Sequence, residues 1–314
     1  MPDRPALVAL FGPTGVGKTA VALALADRMR ARGEQPVAIS ADALQVYRGL
    51  ETLTGAPSAA ERQRLEHRLV GVVSVTETFS AGRFAALAHA EIDGALRAGR
   101  RVIVVGGTGL YLQAALCELD LRPPPPEGVR QALYARLERE GAAALHTELA
   151  ERAPAHAALI RPSDRSRLVR ALELLEMGER PAPAGKESRL WTAGVRHPTL
   201  LCGLTMERSA LYARIDARAA AMVAAGAADE AIRSDASGAS ATARKALGFE
   251  ELLAGDVESM KRRTRNYAKR QLTWMRKLRG VEAIDVTGRD PGDVAAQVDR
   301  RASAIPTPRA PSRG

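Results

Sequence analysis

The residues best suited to chemistry are Lys18 and Thr19, set side by side, and a carboxylate at Asp42. Lys18 and Thr19 close the run Gly12, Pro13, Thr14, Gly15, Val16, Gly17, which has the pattern G-x-x-x-x-G-K-[ST]. The backbone N–H groups of such a loop converge on an anion at the N-terminus of the helix that follows. Gly12 and Gly17 permit a close approach and dihedrals that a side chain would block. Lys18 can reach terminal phosphate oxygens, and the Thr19 hydroxyl can hold a magnesium ion. The implied chemistry is phosphate binding, with ATP as the default ligand. Asp42 suits metal ligation, substrate anchoring or general-base work, and equally the N-cap of a segment starting at Ala43.

Such a loop needs a strand before it and a helix behind it. Short β-rich runs at 6–11, 36–40, 69–74 and 101–105 alternate with helical segments at 18–32, 80–98 and 109–116. That alternation predicts an α/β fold with a parallel sheet covered on both faces. The C-terminal ends of parallel strands face one crevice, which brings Asp42 near the loop. The fourth strand ends in Gly106-Gly107-Thr108-Gly109 rather than in the aspartate that a motor-type ATPase uses to hold hydrated magnesium. A glycine turn there directs Thr108 into the crevice or serves tight packing.

The four prolines Pro123 to Pro126 interrupt this pattern and form a semi-rigid boundary. Residues 127–178 then read as helices only, 179–195 as a mobile loop, 198–204 as a strand and 207–279 as helices. A last strand is expected at 281–286. The organisation is a P-loop NTPase-like parallel-sheet core over 1–121 and 197–303, with an inserted helical domain over 122–196 and a disordered tail over 304–314.

The chain of 314 residues carries 46 Lys and Arg against 36 Asp and Glu, a net charge of +10, which suggests a polyanionic partner. The excess concentrates in Lys261, Arg262, Arg263, Arg265, Lys269, Arg270, Arg276, Lys277 and Arg279, with no acidic residue between Glu258 and Glu282. Like charges so placed repel unless an anion neutralises them, which points to nucleic-acid phosphates. Tyr267, Gln271, Trp274 and Leu278 recur at helical spacing on one face of this segment, the tyrosine and tryptophan as core anchors. Arg167 and Arg170 share a helix face, and Arg208, Arg214 and Arg218 decorate another helix. The plain alternative for these clusters is ion pairing with Asp164, Glu173, Asp216 and Glu207. Cys117 and Cys202 read as buried free thiols, no metal cluster or disulfide framework being possible from two cysteines. No apolar run approaches the roughly 20 residues needed to span a bilayer, and no signal-type segment precedes the first strand. A cytoplasmic monomer is expected.

An ordered series of segments resembles the tRNA dimethylallyltransferase (IPP transferase) family. It comprises Gly12–Thr19, Asp42 with Gln45-Val46-Tyr47-Arg48-Gly49, His67, Phe79-Ser80, Gly106–Leu112, Asp164 with Arg167 and Arg170-Ala171-Leu172-Glu173, Leu211–Arg218, Leu247-Gly248-Phe249 and Thr264–Trp274. The resemblance implies transfer of a dimethylallyl group from dimethylallyl diphosphate to N6 of adenosine 37 in tRNAs reading codons that start with U. It implies that Gly12–Thr19 holds the diphosphate with Mg2+ on Thr19, that Asp42 is the general base, that Arg218 reaches the diphosphate and that Thr108 contacts tRNA at the reaction channel. Its tRNA-contacting positions fall on Asp42, Ala43, Leu44 and Gln45, on Arg130, on Ser166–Arg170 with Ser166, Arg167 and Arg170 singled out, and on Ala246–Glu251, with Gly248 inside that segment and Lys245 beside it. Charge alone adds Lys269 and Arg270, and the insertion is expected to grip the anticodon stem-loop. Two places depart from the family: Ala43 stands for a serine, and Leu53-Thr54-Gly55-Ala56-Pro57 stands for G-T-A-K-P. The competing readings are a P-loop small-molecule kinase using ATP, an isopentenyltransferase acting on free adenine nucleotides and a non-catalytic RNA-binding protein.

Overall fold

The computed structural model describes residues 7–119, 121, 125–126, 128–179 and 194–304. Most of the expected 179–195 loop, the expected tail beyond 304, and Pro123 and Pro124 lie outside the described residues. The chain divides into two compact units, Met1–Asp120 with Leu190–Gly314, and Leu121–Arg189.

In the first unit, β1 (Leu7–Phe11) is buried at all five positions, as a continuous apolar strand must be when both faces of its sheet are covered. It feeds α1 (Lys18–Arg30) and then β2 (Pro36–Ser40), β3 (Tyr47–Arg48), α2 (Glu51–Thr54), α3 (Ala59–Arg64), β4 (His67–Arg68) and β5 (Val73–Ser74). Next come α4 (Ala81–Arg97), β6 (Arg101–Gly106) and α5 (Gly109–Leu116). The six-stranded sheet has the order β4-β2-β6-β1-β7-β8, where β7 is Thr199–Thr205 and β8 is Val281–Asp285. Every pairing is parallel, with Phe11 opposite Gly106 on one side and Gly203 on the other. All strand C-termini therefore open on one edge. The glycines there are required by proximity, because a Cβ on Gly12 would lie 2.8 Å from the Leu204 carbonyl and one on Gly106 2.4 Å from that of Ala41.

The strand expected at 69–74 does not form as one element. His67–Arg68 joins the main sheet beside β2, whereas Val73–Ser74 pairs with Tyr47–Arg48 in a separate two-stranded ribbon. Leu69 (φ 61°) and Gly71 (φ 65°) both adopt left-handed backbone, which turns the chain between them. The apolar run fits two short buried pieces as well as one long one. The helices expected over 207–279 resolve into α9 (Arg208–Ala224), α10 (Ala227–Ala236), a 3-10 turn (Ala243–Lys245), α11 (Phe249–Leu253) and α12 (Val257–Met275), and α13 (Pro291–Ala304) follows β8. Gly226 and Gly248, both left-handed, punctuate that stretch. Helix α13 packs on α1, and α4 packs on α5. Residues 195 and 196, placed in the insertion by sequence, belong to the first unit. Val195 bridges to Cys117, and Arg196 holds Asp93 at 2.9 Å and Glu118 at 2.7 Å. No helix among the described residues is long and apolar enough to cross a membrane.

The second unit is helical, with α6 (Val129–Arg152), α7 (Pro154–Ala157) and α8 (Arg165–Glu176). Helix α6 breaks at Gly141 (φ 83°, ψ 160°) and packs on α8 through Leu133, Leu137, Leu145, Leu149, Leu168 and Leu172. Asp164 caps α8 by accepting the Arg167 N–H at 3.2 Å, and its other oxygen pairs with the Arg167 guanidinium at 3.0 Å. Arg130 and Arg170, expected at tRNA, both engage the fully buried Glu173, at 2.5 and 2.9 Å. The ion-pairing alternative thus describes this cluster, and Ser166 is exposed beside it. Burial pushes the Glu173 carboxyl up, but hydrogen bonds and charge from Arg130 and Arg170 outweigh it and hold the group below its ordinary value. A depressed folded-state value means stabilisation that is present above the unfolded value and lost as pH falls through the folded one. Glu173→Ala is expected to destabilise the helical unit by about 1–3 kcal/mol. Faster amide exchange over 129–176 with unchanged exchange over α1 and β1 is the measurement. Equal exchange in parent and variant would remove Glu173 from the unit's support.

Candidate active site

At the end of β1 the chain enters the loop through Gly12 and leaves it at Gly17, whose left-handed backbone (φ 101°) precedes the first residue of α1. Gly15 is also left-handed, at φ 82°. These dihedrals turn successive N–H groups inward, an arrangement that binds anions. The Lys18 ammonium donates to the carbonyls of Gly12 at 2.8 Å and Pro13 at 3.0 Å, folding the side chain back over the loop. Thr19 lines the adjoining crevice of about 760 Å³, with Asp42, Arg214, Arg218 and Tyr267.

Asp42 follows β2 as expected, but it caps a turn rather than a helix: its Oδ1 accepts the Leu44 N–H at 2.9 Å. Ala43 and Leu44 complete that turn. Gln45 is occupied internally, accepting the Ser40 hydroxyl at 2.9 Å and donating to the Gly55 carbonyl at 3.2 Å. Arg218 donates to the same carbonyl at 3.0 Å. A Cβ on residue 55 would fall 1.7 Å from its guanidinium, so glycine at this departure from the family pattern is what admits Arg218. Ala56, in place of the family's lysine, lines the crevice.

Electrostatically the crevice is cationic. Burial, then Arg218, lowers Lys18 to about 7 against the opposing pull of Asp42. Burial also pulls Arg218 below the ordinary arginine value. Arg214 reaches over the loop, its Nη2 3.3 Å from where a Gly17 Cβ would stand, and has no ion-pair partner among the described residues. The ion-pairing alternative therefore fails for Arg214 and Arg218, whereas Asp216 pairs with Arg265 at 2.6 Å.

The inner face of α12 reaches the same place. The Tyr267 hydroxyl meets Thr108 Oγ1 at 3.0 Å, and burial, followed by the Asp42 charge, pushes its phenol up to about 12. Gln271 accepts the Thr14 N–H at 2.8 Å and donates to the Gly107 carbonyl at 2.8 Å. Trp274 lies against Gly109, where a Cβ would approach the indole to 2.1 Å. Sequence spacing found this face, but it gave Tyr267 only a core role and gave Gln271 none. The available signal was a glutamine on a stripe otherwise built from large apolar side chains.

On the outer face the nine cations divide. Lys261 pairs with Glu258, Arg263 with Glu251, both at 2.7 Å, and Arg265 with Asp216. The sequence-stretch without acids is thus partly neutralised from other elements, which spacing along one helix cannot reveal. Lys269 and Arg270 are exposed and lie over the rings of Tyr212 and Tyr267, at 6.0 and 5.4 Å, without a carboxylate among the described residues. Lys245 is exposed, and Gly248 is buried under Met260 and Leu53 with no room for a side chain.

Among the described residues no group of three or more His, Cys, Asp or Glu could hold a metal. The donor set instead suits magnesium, which keeps most of its waters and is bound by one or two protein oxygens together with substrate phosphates. The Thr19 hydroxyl, in the crevice and without another hydrogen bond among the described residues, is such an oxygen.

The family model described as IPP transferase matches residues 45–278. The tRNA dimethylallyltransferase of Rhodospirillum centenum is 43% identical over 291 residues, covering 88% of this chain and 90% of its own. That of Anaeromyxobacter dehalogenans is 42% identical, covering 94% and 99%. The crystal structure of the tRNA isopentenylpyrophosphate transferase from Bacillus halodurans aligns with a TM-score of 0.66 at 33% identity, covering 94% of this chain and 96% of that one. A eukaryotic dimethylallyltransferase caught acting on tRNA aligns with a TM-score of 0.75 at 25% identity, covering 95% and 78%.

An anion in the loop favours the charged form of Lys18, so anion binding raises its pKa and takes up a proton above about pH 7. Titration calorimetry of inorganic diphosphate at about pH 8, in buffers of differing ionisation enthalpy, is expected to register this uptake, with affinity falling as pH rises. Lys18→Met should remove it. Uptake unchanged by Lys18→Met would place the titrating group elsewhere.

Proposed function

The chain belongs to the IPP transferase family, and on that premise we propose that it transfers the dimethylallyl group of dimethylallyl diphosphate to N6 of adenosine 37, beside the anticodon, in tRNAs reading codons that begin with U. The observation that carries this reading is one crevice shared by an anion loop, the cations Lys18, Arg214 and Arg218, and the carboxylate of Asp42, whose charge acts on both Lys18 and Arg218.

In the reaction a bond forms between N6 of adenine and the allylic carbon, while the bond from that carbon to the diphosphate oxygen breaks. The electron pair leaves with diphosphate, and N6 gives up a proton. The loop N–H groups, Lys18, Arg214 and Arg218 oppose the charge that grows on the leaving group, an effect strongest where the donors are already in place. With Oδ1 of Asp42 fixed by the Leu44 N–H, Oδ2 is the oxygen that takes the N6 proton. Thr108, held by Tyr267 at the mouth of the next βα turn, borders the path of the base. The adenine must leave the anticodon-loop stack to arrive, a step that unstacked loops make easy. Mg2+, if held by Thr19 and the substrate's phosphates, would supply further neutralisation of the leaving group.

For tRNA, the exposed Lys245, Lys269 and Arg270 supply phosphate contacts, with Ser166 and Arg167 of the helical unit as a second set. Arg130 and Arg170 act there through the helix surface they brace on Glu173. We place the enzyme in the cytoplasm, working as a monomer.

Asp42→Asn is expected to lower prenyl transfer by about 10²–10⁴-fold, read as the five-carbon mass gain in tRNA nucleoside digests, with tRNA affinity retained. Loss of binding in place of chemistry would contradict the base assignment. Charge reversal of Lys269 and Arg270 together is expected to flatten the slope of log affinity against log salt by about 1–2. An unchanged slope would make both side chains structural.

A further inference from the structure

Gln271 is 4% exposed on the inner face of a helix whose docking is already served by Ala268, Trp274 and Met275. A buried amide is costly unless both of its ends are satisfied, and an apolar side chain of the same length would pack there without that demand. Both ends of Gln271 are satisfied, by two loops that succeed paired strands. Its Oε1 takes the N–H of Thr14 at the tip of the anion loop, and its Nε2 donates to the carbonyl of Gly107, the residue before Thr108. A Cβ on Gly107 would stand 2.3 Å from Nε2, 3.1 Å from the Gly12 carbonyl and 3.4 Å from the Lys18 ammonium. The two glycine turns, the loop lysine and the amide therefore meet around one point.

We propose that Gln271 is a positioning residue: its amide clamps the anion loop to the glycine turn, setting the diphosphate cradle in register with Thr108. It stands at the edge of the crevice and acts through the backbone of Thr14 and Gly107. The clamp rests on the transfer reaction proposed above. Preorganised donors are effective only when held to within a fraction of an ångström, and among the described residues no other side chain hydrogen-bonds to both Thr14 and Gly107.

Two variants test this. Gln271→Met keeps the length and loses both hydrogen bonds, whereas Gln271→Glu keeps the shape and the acceptor for Thr14 but has no donor for Gly107 at neutral pH. Calorimetry with inorganic diphosphate is expected to give a Kd about tenfold weaker for Gln271→Met, the change that one lost buried hydrogen bond carries. The KM for dimethylallyl diphosphate should rise alongside, with the KM for tRNA and the melting temperature unchanged. Gln271→Glu should also bind diphosphate more weakly, and its deficit should narrow as pH falls and the carboxyl regains a proton to donate, while the Gln271→Met deficit stays constant. Diphosphate binding by Gln271→Met equal to the parent's, or a lowered melting temperature with both KM values rising together, would overturn the proposal. A parent chain that binds diphosphate but prenylates no tRNA would contradict the proposed reaction instead, and the Kd ratio would still decide the clamp.

Discussion

Positive charge held in a partly dehydrated crevice is the constraint on which the rest of the molecule depends. Lys18, Arg214 and Arg218 converge at the C-terminal edge of the sheet, with Asp42 as the carboxylate opposed to them. Burial first, and then the charge of Arg218, draws Lys18 down to about 7. An anion that enters resolves the repulsion and recharges the lysine. A site so built is poised for a ligand carrying several negative charges, and a leaving group that gains charge as it departs is stabilised more than the bound substrate. That difference between transition state and ground state is what accelerates a reaction.

The fold serves this by bringing glycines of three adjacent strands together near the C-terminal edge of the sheet. Gly106 of β6 and Gly203 of β7 stand on either side of Phe11, one residue before Gly12, and the neighbours of each of the three glycines leave no space for a side chain. Helix α12 then closes the arrangement with two different faces. Its inner face supplies Tyr267, Gln271 and Trp274 to the glycine turn, while its outer face carries Lys269 and Arg270 into solvent. The helix that can meet a polyanion outside is thus the helix that supports the anion loop inside.

Much of this was legible in the sequence, for identifiable reasons. The loop, β1 and α1 announce themselves because glycine, lysine and an apolar run are local signals, and α5 was bounded at 109–116 by the turn that begins it. The run at 69–74 misled because local hydrophobicity does not report the left-handed Leu69 and Gly71 that divide it. The charge of the 261–279 segment misled in part because its acidic partners, Glu251 and Asp216, come from other helices. Ion pairing of Arg170 with Glu173 was legible from their spacing, whereas nothing in the sequence says that Glu173 is wholly buried or that Arg130, placed at tRNA by the resemblance, joins it from another helix. Gln271 was invisible as a clamp because both of its partners are backbone groups, which leave no trace in side-chain pattern.

The central claim is that the loop holds an allylic diphosphate and that the nucleotide in the reaction is the tRNA itself. The most direct measurement incubates the purified protein with magnesium, dimethylallyl diphosphate and an adenosine-37 tRNA, then counts prenylated nucleoside by mass spectrometry against released diphosphate. One five-carbon unit on N6 of adenosine 37 per diphosphate released is the expected result. Prenylation of free AMP with none on tRNA, or consumption of ATP with no prenylation, would contradict the account.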